Sequence, residues 1–141
     1  MTHAASSEDR AFLADFEAHR LSPARLDHRA HVRLAFTYLV EHDPETALAS
    51  IRSALQGFLR HHGVAPDKYH ETMTRAWLLA VRHFMELTQP CPSADALMER
   101  CPVLLDAKIM MTHYSADLLF SEEARARFLE PNLQPIPRHG D

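Results

Sequence analysis

The stretch Asp27-His28-Arg29-Ala30-His31-Val32-Arg33-Leu34-Ala35-Phe36-Thr37-Tyr38-Leu39-Val40 decides how the chain is read. Val32, Ala35, Phe36, Leu39 and Val40 recur at three- and four-residue steps, the period of a helix with one broad apolar face. Asp27 can cap it by accepting from a free amide of the first turn. A largely buried helix is therefore expected from 28 to about 42. Its first turn carries two histidines three residues apart. Helical neighbours at that spacing share a face, with Cβ atoms about 5–6 Å apart, so both imidazoles can point at one atom.

On the N-terminal side, Ser6 or Ser7 can cap a first helix running to about Leu21, with Phe12, Leu13 and Phe16 as its apolar stripe. Ser22-Pro23 ends it, since a proline disfavours helical geometry in the residue before it. On the other side, Asp43-Pro44-Glu45 is a start signal, and Leu48, Ile51, Leu55, Phe58 and Leu59 carry a third helix to His61-His62-Gly63. A fourth begins between Pro66 and Tyr69 and reaches about Thr88, nearly apolar all round in its middle: Met73, Trp77, Leu78, Val81, Phe84, Met85. Ser93 caps a short helix to Arg100. Residues 102–114 are expected to be helical with Val103, Leu104, Leu105, Ile109 and Met110 inward. Ser121 opens a last short helix ending near Glu130. The proline-rich run from Pro131 to Pro137 cannot be helical and should lie extended. The expectation is an all-α fold: a bundle of four main helices with shorter C-terminal helices and an extended tail. It forms one domain over 1–141, with loose ends at about 1–6 and 138–141.

Composition limits the function classes. With 46% hydrophobic and 24% charged residues the chain has the make-up of a globular domain. A net charge of −4 with interspersed signs argues against a nucleic-acid surface. The apolar runs are too short to span a bilayer, and the first residues lack a signal-peptide pattern, so a cytoplasmic protein is expected. Cys91 and Cys101 fit neither a redox pair nor a zinc knuckle and read as isolated thiols. No G-x-S-x-G elbow or Gly-rich phosphate loop occurs.

The eleven histidines are the compositional oddity. Most can be assigned to helix ends, and His3, His19, His42 and His139 look exposed. His28, His31 and His70 are different: each stands at a helix beginning, where the positive end of the dipole opposes protonation and keeps an imidazole neutral. Three histidines with an open fourth position are a common way to build a catalytic metal site. The expectation is that these three hold one divalent transition metal, with zinc, iron, nickel and copper all compatible with nitrogen ligands. Tyr69 and Thr74 would then orient a water or a small-molecule substrate. Glu71 could orient a neighbouring histidine or act as a general base, but the first expectation is a solvated salt bridge with Arg75 at i+4. Two alternatives use the same residues: metal-free acid–base chemistry by His31 or His70, and a non-catalytic small-molecule-binding or protein-interaction module with structural histidines. An exposed face on the first or third helix could support a homodimer.

The segments Asp27-His28-Arg29-Ala30-His31-Val32 and Lys68-Tyr69-His70-Glu71-Thr72-Met73-Thr74 also match a wider pattern. Together with Tyr114-Ser115, Leu119-Phe120-Ser121, Ala124-Arg125 and Pro131-Asn132-Leu133-Gln134-Pro135-Ile136-Pro137 they resemble a family of small, uncharacterised bacterial all-helical proteins. That family shows H-x-A-H, then Y-H-x-T-x-T, then a P-[DN]-L-x-P-[LI]-P tail. The resemblance implies that His28, His31, Tyr69, His70, Thr72, Thr74, Tyr114, Ser115 and Arg125 are motif positions, and leaves Glu71 at a free one. It implies no activity. A looser analogy is to DinB-type bundles, which hold three histidines on a metal with a different spacing and order.

Overall fold

A side chain caps nearly every helix at its start. The computed structural model describes residues 2–139, and among them there is no strand. Ser6 caps α1 (Ser7–Glu17) in a reciprocal box, its hydroxyl accepting from Asp9 N while the Asp9 carboxylate accepts from Ser6 N. Asp27 caps α2 (His28–Glu41), and Asp43 caps α3 (Pro44–His61), with Pro44 in the first turn. His70 caps α4 (Glu71–Leu87), and Ser93 caps α5 (Ala94–Arg100). Ser115 and Ser121 do the same for α6 (Ala116–Leu119) and α7 (Glu122–Ala126). The four main helices with short C-terminal additions are those expected from the sequence.

Before the C-terminal segment, three boundaries differ, each for a local reason. The first helix stops at Glu17 rather than near Leu21, because His19 takes a left-handed φ of 62° and turns the chain. The fourth begins only at Glu71: Pro66–Lys68 form a single 3-10 turn and Tyr69 is extended. The stretch expected as one helix over 102–114 is two 3-10 segments, Pro102–Leu105 and Ala107–Thr112, broken at the extended Asp106. With three residues per turn only one row of side chains faces inward. Leu104 and Met110 occupy it, at 0% and 1% exposure, while Val103, Leu105 and Met111 turn to solvent.

α2 and α4 are the middle of the molecule. α2 packs on α1, α3, α4 and α5, and α4 on α2, α3 and α7. One face of α4, with Leu78, Val81 and Met85, joins the main core around Phe16, Leu34, Phe36, Phe58 and Leu97. The opposite face, Ala76 and Ala80, packs on Met110, Tyr114, Leu119 and Ile136. That second cluster explains why the middle of α4 is apolar on all sides.

The C-terminal segment lies extended, as expected, and is fastened residue by residue. Thr72 Oγ1 donates to Arg127 O at 2.9 Å and accepts from Leu129 N at 3.1 Å. This bond pair ends α7 at Ala126, short of the expected Glu130. Tyr114 OH donates to Leu129 O at 2.7 Å, Ser115 and Asn132 exchange two hydrogen bonds, and Leu133 N reaches His113 O. The other end is fixed as well. His3, expected in solvent, accepts from Cys91 N through Nδ1 and donates from Nε2 to Met85 O. His139, also expected in solvent, bonds His83 at 2.7 Å. The loose ends expected at Met1, Gly140 and Asp141 lie outside the described residues.

The buried Asp9 ties α1, α2 and α5 together. Its carboxylate accepts from Ser6 N, from Ala94 N and from Arg33, and the Arg33 guanidinium reaches on to Asp95 at 2.7 Å. Cys91 and Cys101 are free thiols. No helix among the described residues is long and apolar enough to cross a membrane.

Candidate functional site

His28, His31 and His70 all line one cavity of about 490 Å³ between α2, α3 and α4. Its walls are otherwise mostly apolar, with Ile51, Leu55 and Phe58 from α3 facing Met73, Trp77 and Leu78 from α4. The size is that of a small-ligand site.

The three histidines are not equivalent. The His28 Nε2–H donates to Leu104 O at 2.8 Å, and its ring meets the Trp77 ring edge-on at 4.5 Å. Its Nδ1 has no partner among the described residues. His70 is committed at both nitrogens. Nδ1 accepts from Met73 N at 3.1 Å as the N-cap of α4, which places the proton on Nε2, and Nε2 donates to Leu119 O at 2.7 Å. In this state the ring offers no lone pair to a ligand. His31, one turn into α2, has neither nitrogen bonded among the described residues. The structure thus brings the expected trio to one cavity without aiming it at one point. Among the described residues no group of three His, Cys, Asp or Glu side chains is arranged to hold a metal ion. The physical reason lies in the boundary of α4: His70 stands one residue before the helix, where its ring folds back on the free amides.

Burial keeps two of these rings neutral. It is the largest influence lowering the His31 pKa below the ordinary 6.5; the neighbouring His28 adds to it and Asp27 opposes it. His70 is lowered chiefly by burial too, with Arg125 adding to it and the Leu119 carbonyl opposing. At neutral pH His31 therefore presents the cavity with an uncharged imidazole, which donates or accepts a hydrogen bond.

The two hydroxyls expected to orient a substrate are already in use. Tyr69 OH donates to Glu71 at 2.7 Å, and Thr74 Oγ1 donates back to His70 O at 2.8 Å. Burial, then the Glu71 bond, raises the Tyr69 phenol well above its ordinary range, so it stays protonated. Both residues line the cavity as fixed wall. Glu71 corrects its expectation: it is buried, takes two N–H groups of Arg52, and leaves Arg75 to stack over Phe128 at 4.5 Å. Arg52 holds the Glu71 carboxyl below its usual range. Tyr38 faces α1 and donates to Glu17 at 2.8 Å, away from the cavity.

Trp77, Ile51, Leu55 and Phe58 read as plain core in the sequence but line the cavity wall. Periodicity finds an inward face but cannot distinguish a packed interface from a cavity lining. Of the remaining motif positions, Thr72, Tyr114 and Ser115 fasten the C-terminal segment. Arg125 lines a neighbouring cavity. No protein-family profile, no curated protein and no solved structure matches the chain.

Proposed function

We propose that the α2–α3–α4 cavity binds a small, largely apolar organic molecule and that His31 meets its one polar group. The observation that carries this reading is the contrast inside the cavity: a mostly apolar wall and one neutral imidazole with both nitrogens unengaged among the described residues. A ligand hydroxyl or carbonyl bonded to that imidazole in apolar surroundings would add roughly 0.5–1.5 kcal/mol, the net contribution of one neutral hydrogen bond. His28, held by Leu104 O and Trp77, then acts as a rigid side wall, and His70 as a structural cap.

A second reading keeps a divalent transition metal in the same place, and a metal-dependent reaction with it. It is favoured by the free Nδ1 of His28 and the free nitrogens of His31 on adjacent turns, both lining the cavity. In that reading His70 joins as third ligand only by giving up its bonds to Met73 and Leu119.

Trp77 is the sole tryptophan and lines the cavity, so its emission reports occupancy directly. Benzyl alcohol or decan-1-ol should change it saturably, and Ala35→Leu, which fills the α2 side, should remove the response while the far-UV circular dichroism is kept. Stoichiometric metal in untagged protein, lost in His28→Ala and His31→Ala but kept in His61→Ala, would favour the second reading instead.

A further inference from the structure

A second cavity of about 860 Å³ adjoins the first, and Lys68 and Tyr69 line both. It lies between α3, the start of α4 and α7 with the segment after it. Its lining is cationic in a chain of net charge −4: five Lys or Arg against three Asp or Glu. Three of the five are engaged. Arg52 is bound to Glu71 through two N–H groups, Arg127 to Glu123 at 2.7 Å, and Arg75 lies on the Phe128 ring. The side chains of Lys68 and Arg125 have no hydrogen bond or ion pair among the described residues. The carboxylates that remain, Asp67 and Glu122, sit on the exposed rim. Arg125 is half-buried and close enough to His70, on the wall of the first cavity, to disfavour its protonation.

We propose that the ligand is an amphipathic oxyanion whose carboxylate or phosphate group is held by Arg125 and Lys68 while its apolar part passes Tyr69 into the His31 cavity. This rests on the apolar-cavity reading above. A guanidinium presents two parallel N–H groups that match the paired oxygens of a carboxylate or phosphate, and Lys68, exposed on the same lining, adds a point charge. A neutral His31 beside the apolar part keeps the charge at one end only. Tyr69 is held by Glu71 where the two linings meet, so the wall they share is fixed.

The test compares three probes of one chain length: decanoate, decyl phosphate and decan-1-ol, below micelle-forming concentrations, with Trp77 emission as the readout. The acids should bind about tenfold more tightly than the alcohol, the scale of one charge-assisted hydrogen bond. Arg125→Gln should erase most of that advantage and leave alcohol binding unchanged, and Lys68→Gln should also narrow the gap between acids and alcohol. The order of decanoate and decyl phosphate tells which oxyanion the site prefers, and either order supports the proposal. Equal binding of acids and alcohol, or an acid advantage surviving both variants, overturns it and leaves the apolar-cavity reading standing. If none of the three moves Trp77, both fall together.

Discussion

The His70 ring and the Leu119 carbonyl stand 2.7 Å apart, and this one bond joins the beginning of α4 to α6, 49 residues along the chain. The same ring caps its own helix through Nδ1. His70→Ala should therefore cost about 1–3 kcal/mol in urea unfolding, since it removes a cap and leaves a carbonyl unpaired. His70→Asn, which can still accept from Met73 N, should recover about 1 kcal/mol of that. Equal losses in the two variants would mean that the cap contributes nothing.

Thr72 and Tyr114 hold Leu129 from two sides, its amide and its carbonyl. Thr72→Val and Tyr114→Phe preserve shape while deleting these bonds, at about 1–3 kcal/mol each. Hydrogen exchange should quicken over 127–136 in both variants, with the amides of α1 and α3 unchanged. A uniform increase along the chain would instead indicate global destabilisation.

The depressed pKa of His31 and His70 makes stability pH-dependent with a definite sign. Below the ordinary value of 6.5 the unfolded chain binds protons that the folded one refuses, so stability is full above that value and falls as the pH drops toward the lowered folded values. His83, also lowered, acts in the same direction. Between about pH 7.5 and pH 5 the unfolding free energy should decline, and His31→Gln should flatten part of the slope. A slope unaltered by that change would show that His31 is not the group that burial disfavours.

Asp9 is fully buried with Arg33 as its charged partner. Asp9→Asn leaves the guanidinium without its buried countercharge and should cost about 3–5 kcal/mol, read as a lower urea midpoint. The cavity lies on the other side of α2, so probe binding by the folded fraction should be retained.

Much of this arrangement is legible in the residues themselves. Asp27, Asp43 and Ser93 announce their helices because capping is a local event, written within three residues. The left-handed His19 is not, since that geometry goes to a residue type that seldom adopts it. The break of 102–114 into 3-10 segments is likewise hidden, because Val103, Leu104 and Leu105 are equally apolar and only packing selects Leu104. At the site, the spacing of His28 and His31 placed both on one wall. What spacing could not give was the hydrogen bonding: His70, read as a ligand, is spent on Met73 and Leu119, carbonyls and amides that sequence patterns do not carry. Glu71 was misread for the same reason, as its partner Arg52 lies on a different helix.

The proposed ligand sits in the cavity beside His31 with its apolar part against Trp77. The most direct test of this placement is nuclear magnetic resonance of the histidine ring nitrogens and the Trp77 indole during titration with decanoate. The account predicts saturable shifts at His31, His28 and Trp77 with one dissociation constant, and still signals at His61 and His113. Shifts confined to the distant histidines, or unmoved His31 and Trp77 rings, would contradict it.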